Sequence, residues 1–536
     1  MVNMEATLEG NIIKMPDLRY IPEAKGLGCL YFDRMSKYKE NVAQVDGLTG
    51  SKDTFAQLLS RCIRVTIGLK EMGLKSGEIV SVCTLNHLNS CVPMIASFFL
   101  GAIISAVDIN LRSSELAFLL KQAPPKVIFV QENVVPKVES ALATIGSDAI
   151  IVVFGDHSGH VSFAELLKDR SEEKQFKPKE VENLYETVSV CFSSGTSGPP
   201  KGVCYNHYTM MYLGSDKAHG SSDSVLSVSF ATPYWSVFLL GVHFHIVKGI
   251  ARLVYPKFDP SNAWRAFTYP ITFGFFNVAQ ILSMLKEGRS NNIHTDSVTD
   301  IMIGGNTIPG EKILAMKGLL PYARVHLVYG QTEIPMSIAC FNPFNPIDLR
   351  FIEEKPTSVG RGVPGVWYKI VDLENGAALG PNTPGELRIK TKMQTNGYYN
   401  LDSSQIWDES GWFKSGDLAY YDEDLCFFIL GRIKDMFKFR EWHVIPSVLE
   451  GILTTHPAVE NVAVIGVPHE MDSHHPKAVV VLKPSHQSTS EEEIKKFVEE
   501  TVSDSYRLRG GVKFVSELPL TVTGKISRKQ IKEMFS

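Results

Sequence analysis

Residues 187–202 read Thr187-Val188-Ser189-Val190-Cys191-Phe192-Ser193-Ser194-Gly195-Thr196-Ser197-Gly198-Pro199-Pro200-Lys201-Gly202. The first six, apolar and rich in β-branched residues, predict a strand, and the next ten predict a loop leaving it. Glycines let consecutive backbone N–H groups turn inward on an anion, short hydroxyls add donors, and a lysine supplies a point charge. The loop therefore reads as phosphate-binding chemistry, with a solvated Gly/Ser linker as the plainer alternative. It is not a Walker A loop: Pro200 precedes Lys201 and Gly202 follows it, which breaks G-x-x-x-x-G-K-[ST].

Working outward from this loop, the upstream chain alternates strand and helix. Phe55, Leu58, Leu59, Cys62 and Leu69 recur at helical spacing, with Gly73 placed as a stop. Strands are predicted at 79–83, 102–107, 127–130 and 149–154, with helices at 92–100 and from Ser113. That order implies a parallel sheet covered on both faces, and ligands of such sheets sit outside the carboxyl ends of the strands. Two apolar runs, 92–107 and 225–247, are read as buried helices; both fall outside the pattern of a spanning helix, the first by length and the second by its Pro233, His243 and His245.

Downstream, a strand at 301–305 runs into Gly304-Gly305-Asn306, and one at 323–328 ends in Tyr329-Gly330-Gln331-Thr332-Glu333. An aromatic, a glycine, a hydroxyl and a carboxylate at a strand end can stack a base, approach it closely and hold Mg²⁺ through oxygen. Gly411-Trp412-Phe413-Lys414-Ser415-Gly416-Asp417 sets a carboxylate after a tight turn, where its two oxygens match a cis-diol. Gly431-Arg432-Ile433-Lys434-Asp435 lies between two apolar strands and reads as a hinge. The last hundred residues predict a small α+β unit: a helix at 446–455, strands at 462–466 and 478–482, a helix capped by Ser490 and Glu493 that ends near Val502, and a short helix from about Ser527.

At 536 residues the chain is expected to form more than one domain. A net charge of −4 with no concentrated basic motif argues against nucleic acid as a partner. Eight cysteines without C-x-x-C spacing suit reduced thiols. The first ten residues lack a basic segment followed by an apolar one, so no signal peptide is expected, and Glu533-Met534-Phe535-Ser536 is not an S-K-L address. A cytoplasmic location follows, with a peroxisomal one left open; a monomer or weak dimer is expected.

In their order and spacing these motifs resemble the adenylate-forming superfamily of acyl- and aryl-CoA ligases, beetle luciferases and peptide-synthetase adenylation domains, and most of all the insect luciferase-like and 4-coumarate-type ligases. The resemblance runs from about residue 50 to 533. It implies an α/β protein with a large N-terminal domain of stacked α/β sheets plus a small β-subdomain (1–430), a hinge (431–435) and a small mobile α+β C-terminal domain (436–536). It also implies ATP, Mg²⁺ and CoA as cofactors, and a two-step reaction in which a fatty or aromatic carboxylate attacks the α-phosphorus of ATP and CoA thiol then displaces AMP. The competing readings are a luciferase-like monooxygenase that adenylates a luciferin and oxidises it with O₂, and a degenerate binding protein.

By the same resemblance, Ser193, Ser194, Gly195, Thr196, Ser197, Gly198 and Lys201 wrap the β- and γ-phosphates. Tyr329 stacks on adenine beside Gly330, with Gly304, Gly305 and Asn306 along the other side; Asp417 and Arg432 bind ribose; Thr332 and Glu333 hold phosphate and Mg²⁺. Lys525 bridges the carboxylate and α-phosphate as the first choice for a catalytic residue, with Lys438 as another, and Lys434 is the hinge residue. Tyr234, Trp235, Asn277 and Met336 form the substrate pocket, expected to be apolar and aromatic-walled.

Departures from the family pattern are specific. Leu327 stands where Asn, Asp or Gln meets the adenine amino group, an omission costing about 1–3 kcal/mol if that group is buried unpaired. Ala231-Thr232-Pro233-Tyr234-Trp235-Ser236 replaces the beetle luciferase His-His-Gly-Phe segment, which argues against beetle-type luciferin oxidation. Glu441 stands where the family has glycine, in a loop that faces the pantetheine tunnel during thioester formation, so weakened CoA transfer is expected; His443 replaces a polar residue such as Gln.

Overall fold

The computed structural model describes residues 6–17, 22, 24–193, 199–213, 226–521 and 526–535. The β-α alternation builds a seven-stranded sheet whose centre is Ile79–Cys83, with Ile103–Ala106 on one side and Val127–Gln131 and Ile150–Phe154 on the other, all parallel. Thr187–Ser193 joins it in parallel beside Ile103–Ala106, and Lys201–Asn206 then pairs back antiparallel as an edge, Ser193 opposite Lys201. Ser193 and Lys201, which flank the phosphate-loop candidate, thus face each other at one margin of this sheet.

A nine-stranded sheet packs across a shared core. Its parallel centre runs, in spatial order, Arg324–Gln331, Asp300–Gly304, Phe273–Asn277, Leu226–Ser229, Ala251–Val254 and Val42–Asp46. Both faces of such strands are covered, which is why their inner positions are mostly apolar and their polar residues fall mainly at the strand ends. Between the layers lies Val92–Leu100, eight of whose nine residues are buried, packed on the amphipathic helices Leu27–Lys37 and Phe55–Glu71. The second of these starts in a capping box between Thr54 and Gln57. A six-stranded antiparallel sheet, including Gly385–Thr391, Phe413–Tyr421 and Phe427–Arg432, forms the small β layer. The C-terminal unit is a five-stranded sheet with its own core.

The structure corrects several sequence expectations. Residues 225–247 are not one helix: a strand, Leu226–Ser229, precedes the helix Ser236–Lys248, because Pro233 cannot continue a helix and the β-branched start pairs with parallel neighbours on both sides. Tyr329 does not follow its strand but lies within it, since Arg324–Gln331 also pairs antiparallel with Ile334–Cys340. Asp417 likewise sits inside a strand, Phe413–Tyr421. The two C-terminal strands extend to Val459–His469 and Ser473–Leu482 by pairing with each other, and the capped helix ends at Glu499, short of Val502. All eight cysteines are free. Among the described residues no helix is long and apolar enough to cross a membrane.

Close packing of Leu27–Lys37 on Val92–Leu100 depends on Gly28, where an added Cβ would run into the Phe98 carbonyl. Gly28→Ala is expected to destabilise the chain by about 1–3 kcal/mol through overpacking. Gly318→Ala, in a helix with open space around it, is expected to stabilise it by about 0.5–1 kcal/mol. Urea denaturation of the two variants checks this; equal effects would show that backbone approach does not set the packing.

Candidate active site

A cavity of about 1320 Å³ opens at the carboxyl ends of the central parallel strands of the larger sheet. The chain leaves Leu226–Ser229 for Ala251–Val254 on one side and next enters Phe273–Asn277 on the other. The direction of winding therefore reverses between adjacent strands, which leaves a crevice where the loops part.

Gly304, Gly305, Asn306, Tyr329, Gly330, Thr332, Tyr234, Trp235 and Asn277 all line this cavity. Parallel pairing sets their position: Asn277 is opposite Gly304 at the ends of neighbouring strands. Gly305 turns the chain at φ 92°, a left-handed conformation suited to glycine. Asn277 also has a structural task, accepting the Gln280 amide at 2.9 Å as the cap of Val278–Glu287. Met336 lies in the strand Ile334–Cys340. Ser194, Gly195, Thr196, Ser197, Gly198 and Lys525 lie outside the described residues; Leu520 and Ile526 line the cavity.

Beside the cavity, buried Asp417 collects donors. Tyr329 Oη donates to Oδ2 at 2.5 Å, Gln331 Nε2 donates to the same oxygen, and Arg432 Nε stands 2.9 Å from Oδ1. The Asp417 amide donates to Ser415 Oγ at 3.0 Å, and both Gln331 and Arg432 donate to the Ser415 carbonyl. Burial, and then the Asp417 charge, push the Tyr329 phenol well above its ordinary range, so it stays a donor. For Arg432, burial opposes the charge, but Asp417 together with Tyr329, Glu333 and Asp435 outweighs it and holds the guanidinium cationic. Sequence reasoning paired Asp417 with Arg432 but passed over Gln331, whose role no local pattern marks.

A second group forms around Glu333. Tyr398 Oη donates to its Oε1 at 3.2 Å, Thr395 Oγ1 donates to its carbonyl at 3.2 Å, and Lys201 Nζ stands 4.8 Å over the Tyr398 ring. The phosphate-loop lysine and the proposed metal carboxylate thus meet through Tyr398. Burial, followed by Glu333, raises the Tyr398 phenol. Tyr398 reaches Glu333 from a segment 65 residues further along the chain, a pairing that no local pattern marks.

The deeper part of the cavity is less uniformly apolar than expected. Phe230, Phe244, Phe275 and Met302 stand with Tyr234 and Trp235, but so do His245 and His326. Burial pushes each imidazole down to about 4, keeping it neutral. His245 is tied to Ser227 Oγ at 2.5 Å; His326 Nε2 lies 4.0 Å from Asp300 Oδ1. Leu327 points into the core and does not line the cavity, whereas its neighbours His326 and Val328 do.

Other predicted residues are not brought to the cavity. Lys438, Glu441 and His443 are exposed on the hairpin Phe437–Phe439/Trp442–Val444, and none of them lines it. The left-handed residue of that turn is Arg440, at φ 52°, so the backbone does not demand a glycine at 441. Lys434 lies in the short 3₁₀ turn Ile433–Asp435; it is surface-exposed like Lys438, yet partial desolvation, with the Arg432 charge adding to it, lowers its amine to about 8.

Residues 31–399 match the family described as AMP-binding enzyme, and residues 448–525 match AMP-binding enzyme C-terminal domain. The chain is 28% identical to luciferin 4-monooxygenase of Nipponoluciola cruciata over 100% of this chain and 99% of that one. It is 29% identical to 4-coumarate–CoA ligase of Vanilla planifolia over 97% of this chain and 95% of that one. Among solved structures, the luciferase-like enzyme from the nonluminescent Zophobas morio mealworm superposes with a TM-score of 0.75 at 29% identity, over 80% of this chain and 100% of that one. With motifs in family order and the larger family match spanning well over half its length, the chain belongs to the AMP-binding enzymes of the adenylate-forming superfamily.

Proposed function

We propose that this chain activates a carboxylic acid with ATP to give an acyl-adenylate and pyrophosphate, then transfers the acyl group to CoA with an impaired second step. One observation carries the reading: Gly304–Asn306, Tyr329–Thr332, the chamber walled by Tyr234 and Trp235, and the flanking residues Leu520 and Ile526 all line a single cavity. A nucleotide and an acid held there share one water-poor space, which suits condensation of the two.

In this reading Tyr329 and the Gly304-Gly305 segment hold adenine, and the Asp417–Arg432 pair faces the ribose. Asp417 is already bonded by Tyr329 and Gln331, so its oxygens are pre-positioned for the diol. Thr332 and Glu333 fit the Mg²⁺ that accompanies ATP: they are hard oxygen donors, and Glu333 accepts one bond from Tyr398 while a carboxylate has room for more. Mg²⁺ supplies charge neutralisation at the phosphates. Ser193 to Gly198 and Lys201 take the leaving pyrophosphate. Lys525 stabilises the charge that develops between carboxylate and α-phosphate. The substrate is a fatty or aromatic acid, in keeping with the aromatic walls.

The luciferase-like reading is the second. The 28% and 29% identities to a luciferin 4-monooxygenase and to a coumarate ligase do not separate the two. Ala231-Thr232-Pro233-Tyr234-Trp235-Ser236 in place of the His-His-Gly-Phe segment weighs against beetle-type oxidation.

ATP–pyrophosphate exchange across a panel of fatty and aromatic acids tests the reading. Exchange is expected with at least one acid, falling about 10²–10³-fold in Lys525→Ala; no exchange with any acid would favour a binding protein. Light on mixing with ATP, Mg²⁺, O₂ and a luciferin would favour the monooxygenase.

For the second step, Glu441→Gly is expected to leave exchange unchanged and raise acyl-CoA formation by about tenfold or more, by clearing the approach of the thiol arm. A wild-type chain that already makes acyl-CoA as fast as it releases pyrophosphate contradicts this.

The hinge assignment gives a third check. With its amine lowered to about 8, Lys434 is about half neutral at pH 8, where an ordinary lysine is well under 1% neutral. Brief acetylation at pH 8 followed by mass mapping should find Lys434 among the first lysines modified. Labelling no faster than that of exposed Lys438 would remove the case for a desolvated hinge amine.

A further inference from the structure

The turn joining the two longest strands of the C-terminal sheet reads His469-Glu470-Met471-Asp472-Ser473-His474-His475. It brings together one donor atom each from His469, Asp472 and His475, all within 4.8 Å of one another. Asp472 Oδ2 is their meeting point, 2.8 Å from His475 Nε2 and 3.7 Å from His469 Nδ1. The two imidazoles stack, with centroids 3.8 Å apart and planes 18° from parallel.

A hydrogen-bonded turn explains part of this, since Asp472 accepts from Arg440 and His475. The Asp472 amide also donates to His469 Nδ1 at 3.2 Å, which orients that ring, and the turn as a whole gathers three donor atoms of metal-binding type at one point.

We propose that His469, Asp472 and His475 form a site for a divalent transition-metal ion of the zinc class, on the C-terminal unit and outside the cavity. Imidazole nitrogen with one carboxylate suits zinc and its neighbours and disfavours Mg²⁺ and Ca²⁺, which take oxygen. Around an ion with bonds of about 2.0–2.2 Å, donors lie about 3–3.5 Å apart; the two Asp472 distances are within a few tenths of an ångström of that, while the two histidine nitrogens, in a set that spans up to 4.8 Å, close on the ion by turning their stacked rings. The ion takes the Nδ1 lone pair to which the Asp472 amide now donates at 3.2 Å. Three protein donors leave a coordination position for water.

The outer partner is already in place. Arg440 Nε stands 2.7 Å from Asp472 Oδ1, the oxygen turned away from the histidines, and the Arg440 amide donates to the Asp472 carbonyl at 2.8 Å. A carboxylate held in this way is oriented before the ion arrives. Through Arg440 the ion would brace the hairpin that carries Lys438 and Glu441. The site stands independently of the adenylation reading.

The test is calorimetric titration of the untagged, EDTA-stripped full chain with ZnCl₂, and with MgCl₂ for comparison. One zinc per chain is expected, bound ~100-fold more weakly in His469→Ala and His475→Ala and about tenfold more weakly in Arg440→Gln. His474→Ala alters the same turn without removing a ligand and is expected to bind as wild type. Circular dichroism and thermal midpoints establish that the variants fold. No saturable zinc binding, unchanged affinity in the His469→Ala/His475→Ala double variant, an equal loss in His474→Ala, or Mg²⁺ binding as tight as zinc would each overturn the proposal.

Discussion

The buried carboxylate of Asp417 is the constraint around which the site is arranged. A charge taken out of water is tolerated only when paired and hydrogen-bonded, and removing one partner from such a group costs about 3–5 kcal/mol. Here the partners come from different layers: Tyr329 and Gln331 from the end of a parallel strand in the larger sheet, Arg432 from the end of the strand Phe427–Arg432 in the antiparallel β layer. Satisfying one carboxylate therefore sets the distance between two sheets. It also holds the aromatic ring of Tyr329 at the cavity wall.

The Glu333 group repeats this logic at lower burial. A turn that looks like punctuation in the sequence, 397–400, carries Tyr398 to a carboxylate more than sixty residues earlier and places its ring beneath Lys201. Lys201, Tyr398 and Glu333 come from three parts of the chain. Charge of both signs thus gathers around Tyr398, while His245 and His326 at the cavity wall are held neutral by burial.

Much of the fold was legible because local patterns were strong. Ile79–Cys83 and Val92–Leu100 fall where the sequence places them, since an apolar β-branched run and a nine-residue apolar helix closed by Gly101 each have one good conformation. The failures share a cause. Leu226–Ser229 was hidden in an apolar run because burial on both faces removes the periodicity that separates strand from helix. The strand through Gln331 and the long hairpin Val459–His469/Ser473–Leu482 were read short because cross-strand pairing, not local propensity, extends them.

For the site, the sequence by itself determined the inventory: a Gly/Ser loop with Lys201, two glycines at a strand end, Tyr329, Glu333, Asp417, Arg432 and Lys434, in an order specific enough to name a family. Residue type dictates what each group can donate, accept or approach, and that needs no coordinates. Tertiary structure alone decided the pairings: Gln331 on Asp417, Tyr398 between Lys201 and Glu333, His326 at the cavity wall, Leu327 turned into the core, and His469 stacked on His475. Such contacts join positions that sheet order and register bring together, and a hydrogen bond across sixty or eighty residues leaves no trace in local spacing.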